Sequence, residues 1–130
     1  MFNTEVYYMK PMTDLAAMLG ERSSLTKAQI DTLMLHLQVS RGDFSLSEAL
    51  SKRKGRPNQR GTHYRIVNQG KVNLVRGIFT VALAIRLGLF KQEEVARFLD
   101  AISRVPLEIG DDADDVMSLL DVLARRLVML

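Results

Sequence analysis

The chain has 130 residues, a length that fits one compact domain, and 47% hydrophobic with 25% charged residues is an ordinary globular composition. There is no cysteine, which excludes disulfides, thiolate metal sites and cysteine nucleophiles. The net charge of +3 hides an asymmetry, because residues 41–76 hold nine basic and two acidic side chains while the rest of the chain carries a charge of −4. No Asp or Glu occurs between residues 49 and 92, so this acid-free middle is the first candidate for contact with an anionic partner.

Targeting and membrane signals are not evident. Residues 1–10 lack the basic start and apolar run of a secretory signal. The longest apolar stretch, residues 78–90, is interrupted by Thr80, Arg86 and Gly88 and is too short to cross a bilayer. Together with the absence of cysteine, these features predict a soluble cytoplasmic protein.

The spacing of apolar residues predicts an all-α fold in a single domain over residues 1–130. Residues 4–8 are expected to form a short N-terminal strand or an arm. A short helix is predicted over residues 13–19, and a longer one over residues 24–38 with Ser24 as its N-cap. The next helix is expected to start at Ser45, since Glu48 three residues later completes a capping box.

A basic loop with two glycines and a proline, residues 52–61, leads into a long predicted helix. We expect this helix to be capped by Thr62 and to end at Gly88. On a helical wheel its apolar side chains fall on one side, and this set comprises Val67, Leu74, Ile78, Val81 and Ile85. Gly70 and Gly77 lie near that side and are expected to let another helix approach closely.

The opposite side of the long helix carries Arg, Asn and Gln but no acid, which is unusual for a solvated face. These side chains make bidentate contacts to bases, Arg to guanine and Asn or Gln to adenine. The residues predicted to face a DNA groove are Arg65, Asn68, Gln69, Asn73 and Arg76. Phosphate contacts are predicted for Lys52, Arg53, Lys54, Arg56 and Arg60, with Thr62 and His63 at the helix start, and Tyr64 is a candidate for stacking on a base.

Three segments resemble the helix-turn-helix of the fourth region of bacterial sigma factors and the related response-regulator output domains. Residues 25–29 (Leu-Thr-Lys-Ala-Gln) resemble the opening of that motif, and residues 45–50 (Ser-Leu-Ser-Glu-Ala-Leu) resemble its second helix. Residues 62–66 (Thr-His-Tyr-Arg-Ile) resemble the start of its recognition helix, and Leu74 falls at its later core position. The resemblance covers residues 25–78 and implies promoter or operator recognition. The connection before the recognition helix is longer than in that family, and its extra residues are the basic loop, which would then be an arm along the phosphate backbone.

The C-terminal part is expected to be a helical hairpin, with helices over residues 90–103 and 111–130. The acidic run at residues 111–115 is interpreted as a helix cap and first turn, with Asp111 capping, because it lacks the spacing and glycine of a calcium loop. An apolar stripe on the last helix is predicted to be a dimer interface or, equally, part of the core, and it comprises Val116, Leu119, Leu120, Leu123, Leu127 and Leu130.

These patterns predict a sequence-specific double-stranded DNA-binding protein, a transcriptional regulator that acts as a homodimer. Residues 24–88 would form the helix-turn-helix DNA-binding part and residues 89–130 the helical dimerisation part. No catalytic motif, metal site or cofactor motif is found in the sequence, so no enzyme activity is expected. Two alternatives stay open: a helical adaptor that binds a protein through the C-terminal apolar helix, and an RNA-binding protein.

Overall fold

A computed structural model describes residues 14–52, 59–106 and 110–130, and every regular element in these ranges is a helix. The described residues therefore form an all-α fold, as the sequence predicts. The expected strand at residues 4–8 lies outside them. The helices are α1 (Asp14–Arg22), α2 (Lys27–Ser40), α3 (Leu46–Lys52), α4 (Arg60–Arg86), α5 (Gln92–Arg104) and α6 (Ala113–Leu127), and a 3-10 turn (Gly110–Asp112) leads into α6.

The caps of α2 and α3 show how the sequence selects the helix starts. At α2 the cap is Thr26 rather than the predicted Ser24, because Gln29 stands three residues after Thr26 and completes a capping box. The Gln29 N–H donates to the Thr26 hydroxyl at 3.1 Å, and the Thr26 N–H donates to Oε1 of Gln29 at 3.1 Å. At α3 the predicted cap is confirmed, since the Glu48 N–H donates to the Ser45 hydroxyl at 3.1 Å.

Helix α4 begins earlier than predicted. Its N-cap is Gln59, which makes no side-chain capping bond, so Thr62 is the third residue of the helix and the prediction of a Thr62 cap is wrong. Its end is predicted correctly. Gly88 has a φ of 75°, a left-handed conformation that glycine adopts without strain and that stops the helix.

Helices α2 and α4 pack side by side in antiparallel directions, and α2 also supplies Leu35 to the first core, a buried cluster with Phe44 and Ala49. Residue numbers rise along α2 as the contacted residue numbers fall along α4. The contacts are Gln29 with Asn73, Leu33 with Gly70 and His36 with His63. A Cβ atom on Gly70 would lie 2.7 Å from Cδ1 of Leu33, which confirms the predicted close approach at this glycine. At Gly77 that prediction is wrong, because no atom of the described residues lies within 4 Å of a Cβ placed there.

The second core joins α1 to the hairpin of α5 and α6. Leu15, Met117 and Leu120 are buried at its centre, and Phe98 and Ile102 of α5 pack against them. These positions follow one another at helical spacing, so each helix turns its apolar side toward the other two.

Residues 127–129 pair with the segment between α4 and α5. Phe90 and Val128 form an isolated antiparallel bridge, in which the Lys91 N–H donates to the Leu127 carbonyl at 2.9 Å and the Met129 N–H to the Leu89 carbonyl at 2.7 Å. This pairing explains two differences from the predicted bounds. Helix α5 begins at Gln92 instead of Phe90, and α6 ends at Leu127 instead of Leu130.

The start of α6 also differs from prediction. Asp111 lies in the 3-10 turn, the N-cap position is Asp112, and no side chain bonds the helix end there. Asp114 and Asp115 do occupy the first turn, where negative charge favours the helix dipole.

The second half of α4 is apolar and exposed. Between residues 72 and 87, which we call the apolar collar, eight large apolar side chains are 41–68% exposed: Val72, Leu74, Val75, Ile78, Phe79, Val81, Leu83 and Leu87. The predicted apolar side of α4 is therefore buried at Val67 but not at Leu74, Ile78 or Val81. The reason is the length of the partner, because α2 begins only two residues before Gln29, which contacts Asn73. No helix in the described ranges, α4 included, has the length and apolar character needed to cross a membrane.

Candidate nucleic-acid interface

One face of the first half of α4 is polar and open to solvent. Tyr64, Arg65, Asn68 and Gln69 are exposed, and their spacing of three and four residues places them on adjoining turns of one side. Val67 and Gly70 point to the other side, where α2 covers them. The core contact with α2 therefore fixes which way the polar face looks.

No acid among the described residues forms a salt bridge with the basic side chains of this face. Helix α4 contains no Asp or Glu, although it carries five basic side chains: Arg60, Arg65, Lys71, Arg76 and Arg86. The salt bridges within the described residues lie on α5 and α6, where Arg97 meets Glu94 at 2.8 Å, Arg104 meets Asp100 at 3.1 Å and Arg125 meets Asp121 at 2.9 Å. The pKa of Arg125 is raised by the hydrogen bond and the charge of Asp121. Three arginines of α5 and α6 thus form salt bridges, whereas no salt bridge between described residues involves an arginine of α4.

Arg60 connects α4 to α3. Its guanidinium donates to the Ser47 hydroxyl at 2.9 Å, and the side chain stays exposed. A guanidinium has five N–H donors, so this one bond leaves donors for an anion. Arg60 therefore extends the basic surface from α4 toward the start of α3.

Three residues predicted to contact DNA are buried or partly buried. His63 is fully buried, and its Nε2 atom is 3.2 Å from Nδ1 of His36, so it belongs to the core and not to the surface. Asn73 is partly buried and donates through Nδ2 to Oε1 of Gln29 at 2.9 Å. Thr62 is partly buried in the first turn. His63 and Asn73 lie on the side of α4 that contacts α2, and a helical wheel of α4 alone does not show that contact.

The remaining predicted contacts divide into two groups. Arg76 is exposed, about two turns beyond Gln69 on the same side of α4. Arg53, Lys54 and Arg56 of the basic loop lie outside the described residues, and Lys52 ends α3 without a described side chain.

The sequence analysis missed two features of α4. Lys71 is exposed and adds a basic group next to the polar face. The acid-free composition of the helix was the signal that could have included it. The apolar collar was also missed, since a periodic apolar pattern indicates burial without showing how far the covering helix reaches.

The apolar stripe predicted as a dimer interface is divided by the fold. Leu120 and Leu127 are buried inside the chain, and Val116 and Leu123 are partly buried. Leu119 and Leu130 are exposed, at 59% and 95%. Val116 and Leu120 thus belong to the core with α1 and α5, and the buried Leu120 and Leu127 are not accessible for the predicted dimer interface.

The described residues define an all-α protein, and no group of three or more His, Asp or Glu among them is arranged to hold a metal ion. No protein-family model matches the chain, and neither a curated protein nor a solved structure matches it. The resemblance to a helix-turn-helix therefore stays a prediction.

Proposed function

We propose that this protein binds double-stranded DNA in a sequence-specific manner through the polar face of α4 and acts as a dimeric transcriptional regulator. The observation that carries the proposal is the combination of Arg65, Asn68 and Gln69 on one exposed side of a helix without any acid. A solvated face ordinarily mixes acids with bases. A face of unpaired guanidinium and amide groups is suited to anionic phosphates and base edges.

The shape of α4 supports entry into a groove. An α-helix with its side chains is about 10–12 Å across, and the major groove of B-DNA is about 12 Å wide. Arg65 and Arg76 are separated by roughly 16 Å along the axis, from a rise of 1.5 Å per residue, so the basic side chains span several base pairs. Helix α2 covers the side of α4 that carries Val67 and Gly70 and meets the polar face at Tyr64, so Arg65, Asn68 and Gln69 stay exposed toward DNA.

Phosphate contacts would come from the basic groups around this face. Arg60 and Lys71 are exposed on α4, and the basic loop directly precedes α4 in the chain. Such contacts supply affinity and fix orientation, whereas Arg65, Asn68 and Gln69 would supply discrimination between bases.

The proposal is tested by titrating labelled duplex DNA, duplex RNA and single strands with the protein at low salt and following fluorescence anisotropy. We expect duplex DNA to bind tightest and Arg65→Ala to weaken that binding at least tenfold. Arg104→Ala is the matched control, since Arg104 is an exposed arginine of α5 on the other half of the chain, and it should leave binding unchanged. Absence of binding to all three ligands, or a preference for RNA, would overturn the proposal.

A further inference from the structure

One apolar side chain lies in the middle of the polar side of α4. With about 3.6 residues per turn, Val72 points within about 20° of Arg65 and falls between Asn68 and Gln69 around the helix axis. Along the axis it lies between Asn68 and Arg76, each four residues and therefore about 6 Å away. Val72 is 52% exposed, so a ligand on this side of α4 can reach it.

The neighbours of Val72 distinguish it from other exposed apolar residues, which are common on protein surfaces. Around it, the exposed side chains are of the types that form hydrogen bonds with base edges in the major groove: Arg65, Asn68, Gln69 and Arg76. The apolar group that those base edges present is the C5 methyl group of thymine. An apolar side chain among polar base readers is therefore placed to meet a thymine.

We propose that Val72 contacts the C5 methyl group of a thymine, and that the DNA site this protein prefers contains an A·T pair at that position. This contact rests on the proposed function, since it requires the polar face of α4 to enter the major groove. It adds to the proposed hydrogen-bonding residues one specificity-determining residue of apolar chemistry. Hydrogen bonds distinguish bases by their donors and acceptors, whereas Val72 would distinguish thymine by its methyl group.

The spacing along α4 also predicts where the thymine lies. With α4 along the groove, the roughly 6 Å between Val72 and Asn68 compares with about 3.4 Å between base pairs of B-DNA. The thymine should therefore lie about two base pairs from the position that Asn68 reads. Phe79 lies on the same side of α4 and is 68% exposed, but it comes after Arg76 and so lies outside the set of polar base readers.

Val81 offers a matched control on the same helix. It follows Val72 by nine residues, which places it about 180° away around the axis, and it is 41% exposed. Val72→Ala and Val81→Ala therefore remove the same two methyl groups from opposite sides of α4. Alanine favours a helix more than valine does, so both variants should keep α4 intact.

The test begins by selecting the preferred site of the wild-type protein from DNA duplexes with a randomised centre. Each thymine of the selected duplex is then replaced in turn by deoxyuridine, which removes only the C5 methyl group, and binding is measured by fluorescence anisotropy. We expect one replacement to weaken wild-type binding about fourfold, the factor that corresponds to about 0.8 kcal/mol for one buried methyl-sized group. Val81→Ala should show the same fourfold loss, whereas Val72→Ala should bind the thymine and uracil duplexes equally well.

The possible results separate the thymine contact from DNA binding itself. If the wild type selects no duplex, the proposed function and the thymine contact are both overturned. If it selects a site but no uracil replacement weakens binding, only the thymine contact is overturned. The same holds if Val72→Ala keeps the fourfold loss, because the methyl group is then read by another residue.

Discussion

His36 of α2 and His63 of α4 are joined at 3.2 Å between Nδ1 and Nε2, and the His63 ring is fully buried. Tyr64, the next residue of α4, packs edge-on against both imidazole rings with centroids 5.9 and 5.4 Å away and is exposed on its other side. The border between the core and the polar face of α4 therefore falls between two consecutive residues. Stability and nucleic-acid binding should be separable by mutations on either side of it.

Replacing His63 tests that separation. We expect His63→Ala to lower the free energy of unfolding by about 2–4 kcal/mol, since it leaves a cavity and removes the bond to His36. Gln69→Ala, on the exposed face two turns later, should change stability by less than about 0.5 kcal/mol and weaken DNA binding instead. Urea denaturation and anisotropy measure the two effects. Equal stability of His63→Ala and the wild type would contradict the described core.

A side chain added at Gly70 is expected to lower stability, because Leu33 must then shift. A Cβ there would lie 2.7 Å from Cδ1 of Leu33, so Gly70→Ala should destabilise the protein by about 1–3 kcal/mol, the usual effect of overpacking. Gly61→Ala is the control, since no described atom lies within 4 Å of a Cβ at Gly61 and alanine is the better helix former. Thermal unfolding should rank Gly61→Ala at or above the wild type and Gly70→Ala below it. The reverse order would refute the packing of α2 on α4.

Gln29 has two roles that one double-mutant cycle can separate. Its Oε1 atom accepts from the Thr26 N–H at the cap of α2 and from Nδ2 of Asn73 on α4. We expect Gln29→Ala to cost about 1–2 kcal/mol and the Gln29–Asn73 pair to show a coupling energy of about 0.5–1.5 kcal/mol. A coupling energy of zero in urea denaturation would mean that the interhelical bond is absent in solution.

The cap of α3 gives a smaller effect. Ser45→Ala removes the hydroxyl that accepts from the Glu48 N–H, and we expect a loss of about 0.5–2 kcal/mol in unfolding free energy. Ser51 offers a control on the same helix, because its hydroxyl only bonds the carbonyl of Glu48 one turn back. Ser51→Ala should stay within about 0.5 kcal/mol of the wild type. A loss at Ser51 as large as at Ser45 would argue against the cap.

Local signals predicted much of this fold correctly. The all-α class, the cap at Ser45 and the stop at Gly88 follow from residue chemistry that acts over one or two turns. The errors arise where a distant partner decides. Phe90 lies outside α5 because it pairs with Val128, and the residues around Phe90 carry no local signal of that bridge.

The candidate site was predicted only in part, because a distant helix also decides which side chains of α4 are exposed. Arg65, Asn68 and Gln69 face solvent as a wheel predicts, whereas Asn73 on the same wheel turns to Gln29. The wheel gives angles around α4, but the position of α2 decides which angles are covered. The apolar collar shows the opposite error. Ile78 lies on the side of α4 for which a helical wheel predicts burial, but no described helix covers it fully.

The central claim, that the polar face of α4 binds DNA, is tested most directly by the salt dependence of binding. The slope of log K against log salt counts the neutralised phosphates at about 0.9 each for B-DNA. We expect a steep slope for the wild type, a similar slope with at least tenfold weaker, less selective binding for Gln69→Ala, and a slope shallower by about one for Lys71→Ala. A wild type that binds no duplex DNA at low salt, or variants indistinguishable from it in both affinity and slope, would contradict the account.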